Sequence, residues 1–328
     1  MHPKVSSRRC ALLMPLLAAA LTPLGVLAQT AERFPSSQVT IVVPFPAGGS
    51  NDIVARATAQ VLSETWKVPV VVENRAGAAG NIGADHVAKA PPTGHTLMLG
   101  AVSMVTNPPM YRIAPFVPRA LVPVGVGVNV PLVTVARPDL PVTDVASLIA
   151  LASTRPGGLN AASAGAGTLS HLGAELLESD HKAKINHVPY RGSAPALTDV
   201  AGGQADILVD TVASALPMIQ SGRVKAVAVH SPKRQAQLPN VPSYEEQGYK
   251  SLSFAAWNMF MVPQGTPADR IATLQAALAR VLTDPAMVKS LNDRGIEPFV
   301  MTPAAALDFM LAEAQRWGKV IRDKNITP

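Results

Sequence analysis

Residues 39–52 read VTIVVPFPAGGSND, and residues 53–66 continue IVARATAQVLSETW. The run Val39 to Val43 is apolar or β-branched throughout. It predicts a strand buried on both faces, as in a parallel sheet covered by helices. Pro44, Pro46 and the pair Gly48-Gly49 then interrupt any regular element, and residues 53–66 return with helical spacing. Strand, glycine-rich turn, helix is the grammar of an α/β fold. In open parallel sheets ligands bind beyond the carboxyl ends of the strands. Paired glycines let backbone N–H groups approach a ligand, and Ser50 is placed to cap the helix. The free N–H groups and the helix dipole favour an anion there. Phe45, Ala47, Gly48, Gly49, Ser50, Asn51 and Asp52 are therefore candidate ligand-binding residues. A purely structural turn with a good cap would leave the same trace. No Gly-Lys-Ser/Thr follows, so the turn is not a nucleotide P-loop.

The alternation continues outward. Residues 70–72 and 96–99 read as strands, with a helix at 82–90 between them. Residues 120–136 are apolar, but Pro123, Asn129 and Pro131 predict that the stretch breaks into short buried strands. The pattern then restarts, with strands at 132–136, 159–163, 185–188, 207–209 and 224–229. Helices at 145–153, 169–178, 194–201 and 213–221 separate them. A strand at 254–262 precedes helices at 267–282, 285–294 and 303–323, each with Pro near its first turn. Two separate parallel-rich sheets predict two lobes, each sheet covered by helices. A helical tail packing back on the first lobe makes the chain cross twice, near residues 130 and 252. The expected lobes are 34–130 plus 253–328, and 131–252. Two crossovers form a hinge, and a ligand sits in the cleft between such lobes.

The second half repeats the glycine turn as ASAGAGTLSH at residues 162–171. Ser163, Gly167, Thr168, Ser170 and His171 join the candidate list. The turn imitates a dinucleotide fingerprint but lacks its third glycine and its acidic partner. Taken with the first turn, it makes a two-jawed anion clamp. Residues 188–193, VPYRGS, form another strand-to-helix turn, with Tyr190 as a candidate and Ser193 placed to cap. Arg191 reads as a solvated loop arginine more readily than as a carboxylate fork. Asp210 follows a strand and either caps the next helix or faces the cleft and selects ligands bearing a donor; both readings stay open. His95, His181 and His187 lack metal-ligand spacing. Trp66, Trp257 and Trp317 read as core anchors, although the strand of Trp257 is placed to line the cleft. Ala161-Ala162-Ser163-Ala164-Gly165 resembles a nucleophile elbow, with Asp210 and His230 following in the order of an α/β-hydrolase. Two sheets and a missing oxyanion loop weigh against that enzyme.

Composition sets the outer limits. The chain has 328 residues, 48% hydrophobic and 15% charged, ample for a large core of about two domains. Lys4, Arg8 and Arg9 lead into the apolar residues 11–27, and small residues precede Gln29. This reads as a signal peptide over residues 1–28, which implies export to the periplasm. Pro15 and Pro23 interrupt the run, which is short for a bilayer span. Ser7-Arg8-Arg9 leaves general and twin-arginine export both open. Without residues 1–28 the chain carries 25 basic against 22 acidic side chains. With no Lys/Arg block and few aromatic platforms, nucleic-acid binding is excluded. The single cysteine, Cys10, falls in the signal region, so the mature chain has neither disulfide nor cysteine-based zinc site. No metal and no cofactor is expected.

Six ordered stretches carry a family likeness: IVVPFPAGGSND (41–52), VVENRAGAAGNIG (71–83), LNAASAGAGTLSHL (159–172), HVPYRG (187–192), PALTDVAGGQADILVD (195–210) and KRQAQLPNVP (233–242). Over about residues 34–326 the chain resembles the Bug (TctC-like) receptors of tripartite tricarboxylate transporters. The resemblance implies a two-lobed periplasmic-binding-protein fold of the type II-like, Venus-flytrap kind. It implies a monomeric binding receptor without catalysis that serves membrane transporter subunits. Its ligand would be a small carboxylate: a di- or tricarboxylate, an acidic amino acid or an aromatic acid. Backbone amides and hydroxyls of the loops matching residues 45–52 and 167–171 would hold it, often through waters. The chain departs from the family at Thr93-Gly94-His95-Thr96, at Asn51 and at Asn258, where the family often has glycine after Trp257. A ligand-presenting accessory of a membrane sensor kinase and an exported serine hydrolase using Ser163 remain as alternative functions.

Overall fold

The computed structural model describes residues 34–113, 116–117 and 119–327. The signal-peptide expectation for residues 1–28 lies outside them. The first half runs β1 (Val39–Val43), α1 (Ser50–Trp66), β2 (Val70–Asn74), α2 (Asn81–Ala88), β3 (Thr96–Ala101) and α3 (Ser103–Tyr111). A long strand, β4 (Leu121–Ala136), leads to the second half. That half comprises α4 (Val145–Thr154), β5 (Leu159–Ser163), α5 (Leu169–His181), β6 (Ile185–Pro189), α6 (Ser193–Ala201), β7 (Ile207–Thr211), α7 (Val212–Gln220) and β8 (Lys225–Val229). The chain returns through β9 (Ala255–Pro263), α8 (Ala268–Leu282), α9 (Pro285–Asn292), β10 (Glu297–Val300) and α10 (Pro303–Asp323).

The halves follow the same rule. β1 pairs in parallel with β2 and β3, and β5 pairs in parallel with β6 and β7. Each trio then meets an antiparallel neighbour, β9 beside β3 and β4 beside β7. The two sheets, one to each lobe, are not separate. β4 belongs to both, with β9 and β10 along its first part and β7 and β8 along its second. The handover falls at Pro131, opposite Ala255, and Leu132, opposite Thr211.

The expected break-up of residues 120–136 is therefore corrected: this is one strand. Proline removes a ladder donor and is tolerated in strands at bulges and irregular positions. Pro123 stands where the register with β9 shifts, and Pro131 stands where β4 changes partner. Gly127 allows the close approach, since a Cβ there would lie 2.3 Å from the Asn258 carbonyl oxygen.

α3 is the element that sequence periodicity misses, because Pro108 and Pro109 lie inside it. Each forfeits a helical N–H and crowds the preceding turn. Burial compensates: Met104, Val105, Thr106, Asn107 and Met110 are all buried, and α10 packs against this helix. The short edge strand β10 was also absent from the sequence reading. Asp284 and Thr302 do cap α9 and α10 as the Asp-Pro and Thr-Pro pairs imply.

Candidate functional site

One cavity lies where the carboxyl ends of β1, β3, β5 and β7 meet β4 and β9. Its volume is about 80 Å³, narrow beside the roughly 300–1,000 Å³ of drug-sized pockets. Five helices begin on its wall. α1 contributes Gly49, Ser50 and Asn51; α3 contributes Val102 and Ser103; α5 contributes Thr168, Leu169 and Ser170. α6 adds Ser193, and α7 adds its N-cap Thr211. The first N–H groups of a helix have no partner inside it and carry the positive end of its dipole. α1, α3, α5 and α6 start without any side-chain cap bond, whereas α4, α9 and α10, which start elsewhere, are capped. α2 and α8 also start uncapped. What singles out this cavity is the convergence of helix starts. Asp210 is the one ionisable side chain among the described residues that line it.

The local hydroxyls are mostly spent on the protein itself. Thr168 occupies the N-cap position of α5, yet its Oγ1 donates back to the Gly165 carbonyl at 2.7 Å. Ser170 Oγ donates to the Val209 carbonyl. Ser50 and Ser193 do not cap: their helices start from Gly49 and Gly192. Ser50 Oγ instead accepts Asn258 Nδ2 at 3.3 Å, and Ser193 Oγ donates to Asp210 Oδ1 at 2.8 Å. Asp210 Oδ1 also accepts the Thr211 N–H at 2.7 Å, and α7 is capped by Thr211 rather than by Asp210. Burial pushes the Asp210 carboxyl up to about 7, against the Ser193 and Thr211 hydrogen bonds that pull it down. Its Oδ2, like Ser103 Oγ, is buried with no hydrogen-bond partner.

Residues 54–326 match the profile of the tripartite tricarboxylate transporter family receptor, TctC. The chain belongs to that family. It is 36% identical to Protein BugT of Bordetella pertussis over 297 residues, covering 90% of this chain and 91% of BugT. The Rpa4515 protein of R. palustris, solved with adipate, superposes with a TM-score of 0.86 at 35% identity, covering 90% of this chain and 100% of that one. MatC from Rhodopseudomonas palustris, solved with bound malate, gives 0.81 at 31% identity, covering 88% of this chain and 100% of MatC.

In this TctC-family chain the residues singled out from sequence divide into two sets. Phe45, Gly49, Ser50, Asn51, Thr168, Ser170 and Asp210 line the cavity. Ala47, Gly48, Asp52, Ser163, Gly167, His171 and Tyr190 stand outside its lining. Asp52 braces the first loop from behind, accepting the Gly48 N–H at 3.1 Å, Arg56 Nε at 2.9 Å and Asn74 Nδ2 at 3.0 Å. Burial opposes its charge, but these hydrogen bonds, led by Arg56, prevail and hold its carboxyl below the usual range.

His171 Nδ1 accepts the Gly167 N–H at 3.2 Å, and its ring stacks on His187 at 3.8 Å. Burial first, and the His171 ring second, push His187 down to about 4. Ser163 Oγ meets His187 Nε2 at 2.6 Å. Tyr190 donates to Asp199 Oδ2 at 2.7 Å. These groups shape the second loop rather than face the space it borders.

The hydrolase arrangement is not assembled. His230 Nε2 meets Thr134 Oγ1 at 2.9 Å and its Nδ1 meets the Leu252 carbonyl, while Ser163 pairs with His187 and Asp210 with Ser193. Trp257 is a core anchor on a strand that lines the cavity, as read. Side chains alternate along a strand, so Ala256 and Asn258 line the cavity while Trp257 turns to the core and donates to Glu313 Oε2 at 3.1 Å. Arg191 is exposed, as read. Ser103 and Leu132 were not anticipated. The first was hidden by the diproline of its helix; the second falls on the strand read at 132–136, but an all-apolar run does not say which side chain faces a cavity.

Proposed function

We propose that this chain is a periplasmic solute receptor that captures a small organic carboxylate and passes it to the membrane subunits of a tripartite tricarboxylate-type transporter. The observation that carries the reading is the convergence of five helix N-termini on one narrow cavity with no cation among the described residues that line it. Such ends bind anions through backbone N–H groups. Two relatives solved with adipate and malate support the carboxylate class. Residues 34–130 with 253–328 form one jaw and 131–252 the other, joined at the β4 handover and at the entry to β9. The family is one of binding proteins, and the arrangement needs no catalytic step.

A thermal-shift screen against malate, adipate, succinate, citrate, glutamate and benzoate tests it. A ligand that binds only the native state raises the melting temperature, by about 2.7 kcal/mol of stabilisation at a hundredfold excess over Kd. At least one acid should do so in the wild type and not in Gly49→Leu. Gly49 has φ −79° and no atom within 4 Å of a built Cβ, so leucine fits the backbone there and its side chain intrudes on the binding space. No shift with any acid, or an equal shift in the variant, refutes the site.

A further inference from the structure

Among the described residues that line the cavity the only ionisable group is an acid, in a site that otherwise favours anions. Asp210 Oδ1 is used twice, by Ser193 and Thr211, while Oδ2 is buried without a partner. A buried carboxyl oxygen left unpaired is strongly unfavourable. We propose that Asp210 takes part in ligand capture as a neutral carboxylic acid, donating its Oδ2–H to the ligand carboxylate, so that binding takes up one proton from solvent. This rests on the carboxylate-receptor reading above. In so small a cavity the ligand anion sits within a few ångström of Asp210. Two carboxylates at that distance in a low-dielectric space do not both stay ionised. Sharing a proton turns the repulsion into a charge-assisted hydrogen bond.

The surroundings leave no other group to take that role. β4, β5, β9 and α7 bring no titratable side chain to Asp210. α1 brings Asp52, already paired with Arg56. α3 brings Tyr111, bonded to the Ala166 carbonyl. α5 brings His171, held by Gly167 and Glu175, with Glu178, Asp180 and His181 at its far end. α6 brings Asp199, bonded to Tyr190, and β6 brings His187, bonded to Ser163. Among the described residues no cation is placed to keep Asp210 ionised. Desolvation, which already lifts its carboxyl to about 7, points the same way.

The test is calorimetric titration of the purified protein with the strongest binder of the six-acid screen, from about pH 5.5 to 8.5, in MES and in Bis-Tris at the acid end and in HEPES and in Tris at the alkaline end. At the alkaline end the difference in apparent enthalpy between buffers should report close to one proton taken up, falling toward none at the acid end. Affinity should drop by up to tenfold per pH unit above about 7, the slope of a single required proton. In Asp210→Asn, Thr211 and Ser193 still need an oxygen acceptor, so Nδ2 faces the ligand as a donor that cannot titrate. Its binding should show no proton uptake and no pH slope. Wild type binding without uptake at about pH 8.5 overturns the proposal while leaving the carboxylate reading intact. Uptake of equal size in Asp210→Asn also overturns it. Failure of all six acids to bind strikes the carboxylate reading itself. If the asparagine variant does not fold, the wild-type proton count decides alone.

Discussion

At the residue scale, the decisive balance is at Asp210, where desolvation outweighs two hydrogen bonds. With the folded carboxyl near 7 and the ordinary value near 3.8, the folded state holds a proton that the unfolded chain has released. Stability from this group therefore falls as pH rises from about 4 to about 7, by on the order of 4 kcal/mol in full. The histidines His230, buried, and His187, half-buried, have the opposite sign. Burial pushes His230 down to about 3 and His187 to about 4. The unfolded chain binds their protons first, so stability rises as pH climbs toward 6.5. In the wild type these slopes partly cancel across the same window. In Asp210→Asn the histidine slope should stand uncovered, and the gain in melting temperature over wild type should grow steadily between about pH 4 and 7. Urea or thermal unfolding without ligand, read at three or four pH values, measures this. A gap that stays flat with pH would show that Asp210 folds as an ordinary carboxylate.

At the element scale, α3 matters more than its nine residues suggest. Its first residue, Ser103, lines the cavity, and its later side chains reach the loop that starts α5. Thr106 Oγ1 donates to the Gly167 carbonyl at 2.5 Å, and Tyr111 OH donates to the Ala166 carbonyl at 2.8 Å. Asn107 backs the same loop so tightly that a Cβ on Gly167 would lie 2.2 Å from its Oδ1. These bonds tie the two glycine-bearing walls together beside the ligand space. Replacing both donors with Thr106→Val and Tyr111→Phe removes two hydrogen bonds and strands two carbonyls. At about 1 kcal/mol net each, affinity should fall roughly tenfold to thirtyfold. The effect belongs in the dissociation rate, since the loops must part for the ligand to leave. Stopped-flow or surface-plasmon measurements separate the rates. A change confined to association would assign these contacts to ligand entry instead.

At the scale of the whole molecule, the sheets are coupled through β4 and through β9, which runs antiparallel between β4 and β3 back to the first trio. The two jaws proposed above would move about Pro131 and Leu132, where β4 changes partner, because a hinge needs only a few residues that absorb a backbone change. The walls meet closely here: a Cβ on Gly192 would lie 2.6 Å from Pro46 Cδ, and one on Gly165 would lie 3.6 Å from Ala79 Cα. Solution scattering should show a larger radius of gyration without ligand than this arrangement gives, converging on it when a carboxylate is added. Ligand shifts such an equilibrium only by its differential affinity for the two forms. Identical curves with and without bound ligand would mean the walls do not part.

The sequence by itself determined the alternation of elements, the doubled plan and the two glycine turns. Those features rest on local physics: apolar period, backbone freedom at Gly48 and Gly167, and helix starts at Pro285 and Pro303. β1 and β5 run over the residues read for them, and most helices lie within a few residues of their expected ends. What only the tertiary structure decided is where long-range packing outweighs local preference. Burial under α10 holds α3 helical through Pro108 and Pro109, and partner exchange keeps β4 whole through Pro131. It also decided direction, which no residue type encodes. Of two adjacent residues on β9, Asn258 meets the cavity and Trp257 meets the core, and of the two Asp210 oxygens one is satisfied while the other is buried without a partner. A chain spells out which groups it carries, but only three-dimensional closure determines which of them are desolvated together.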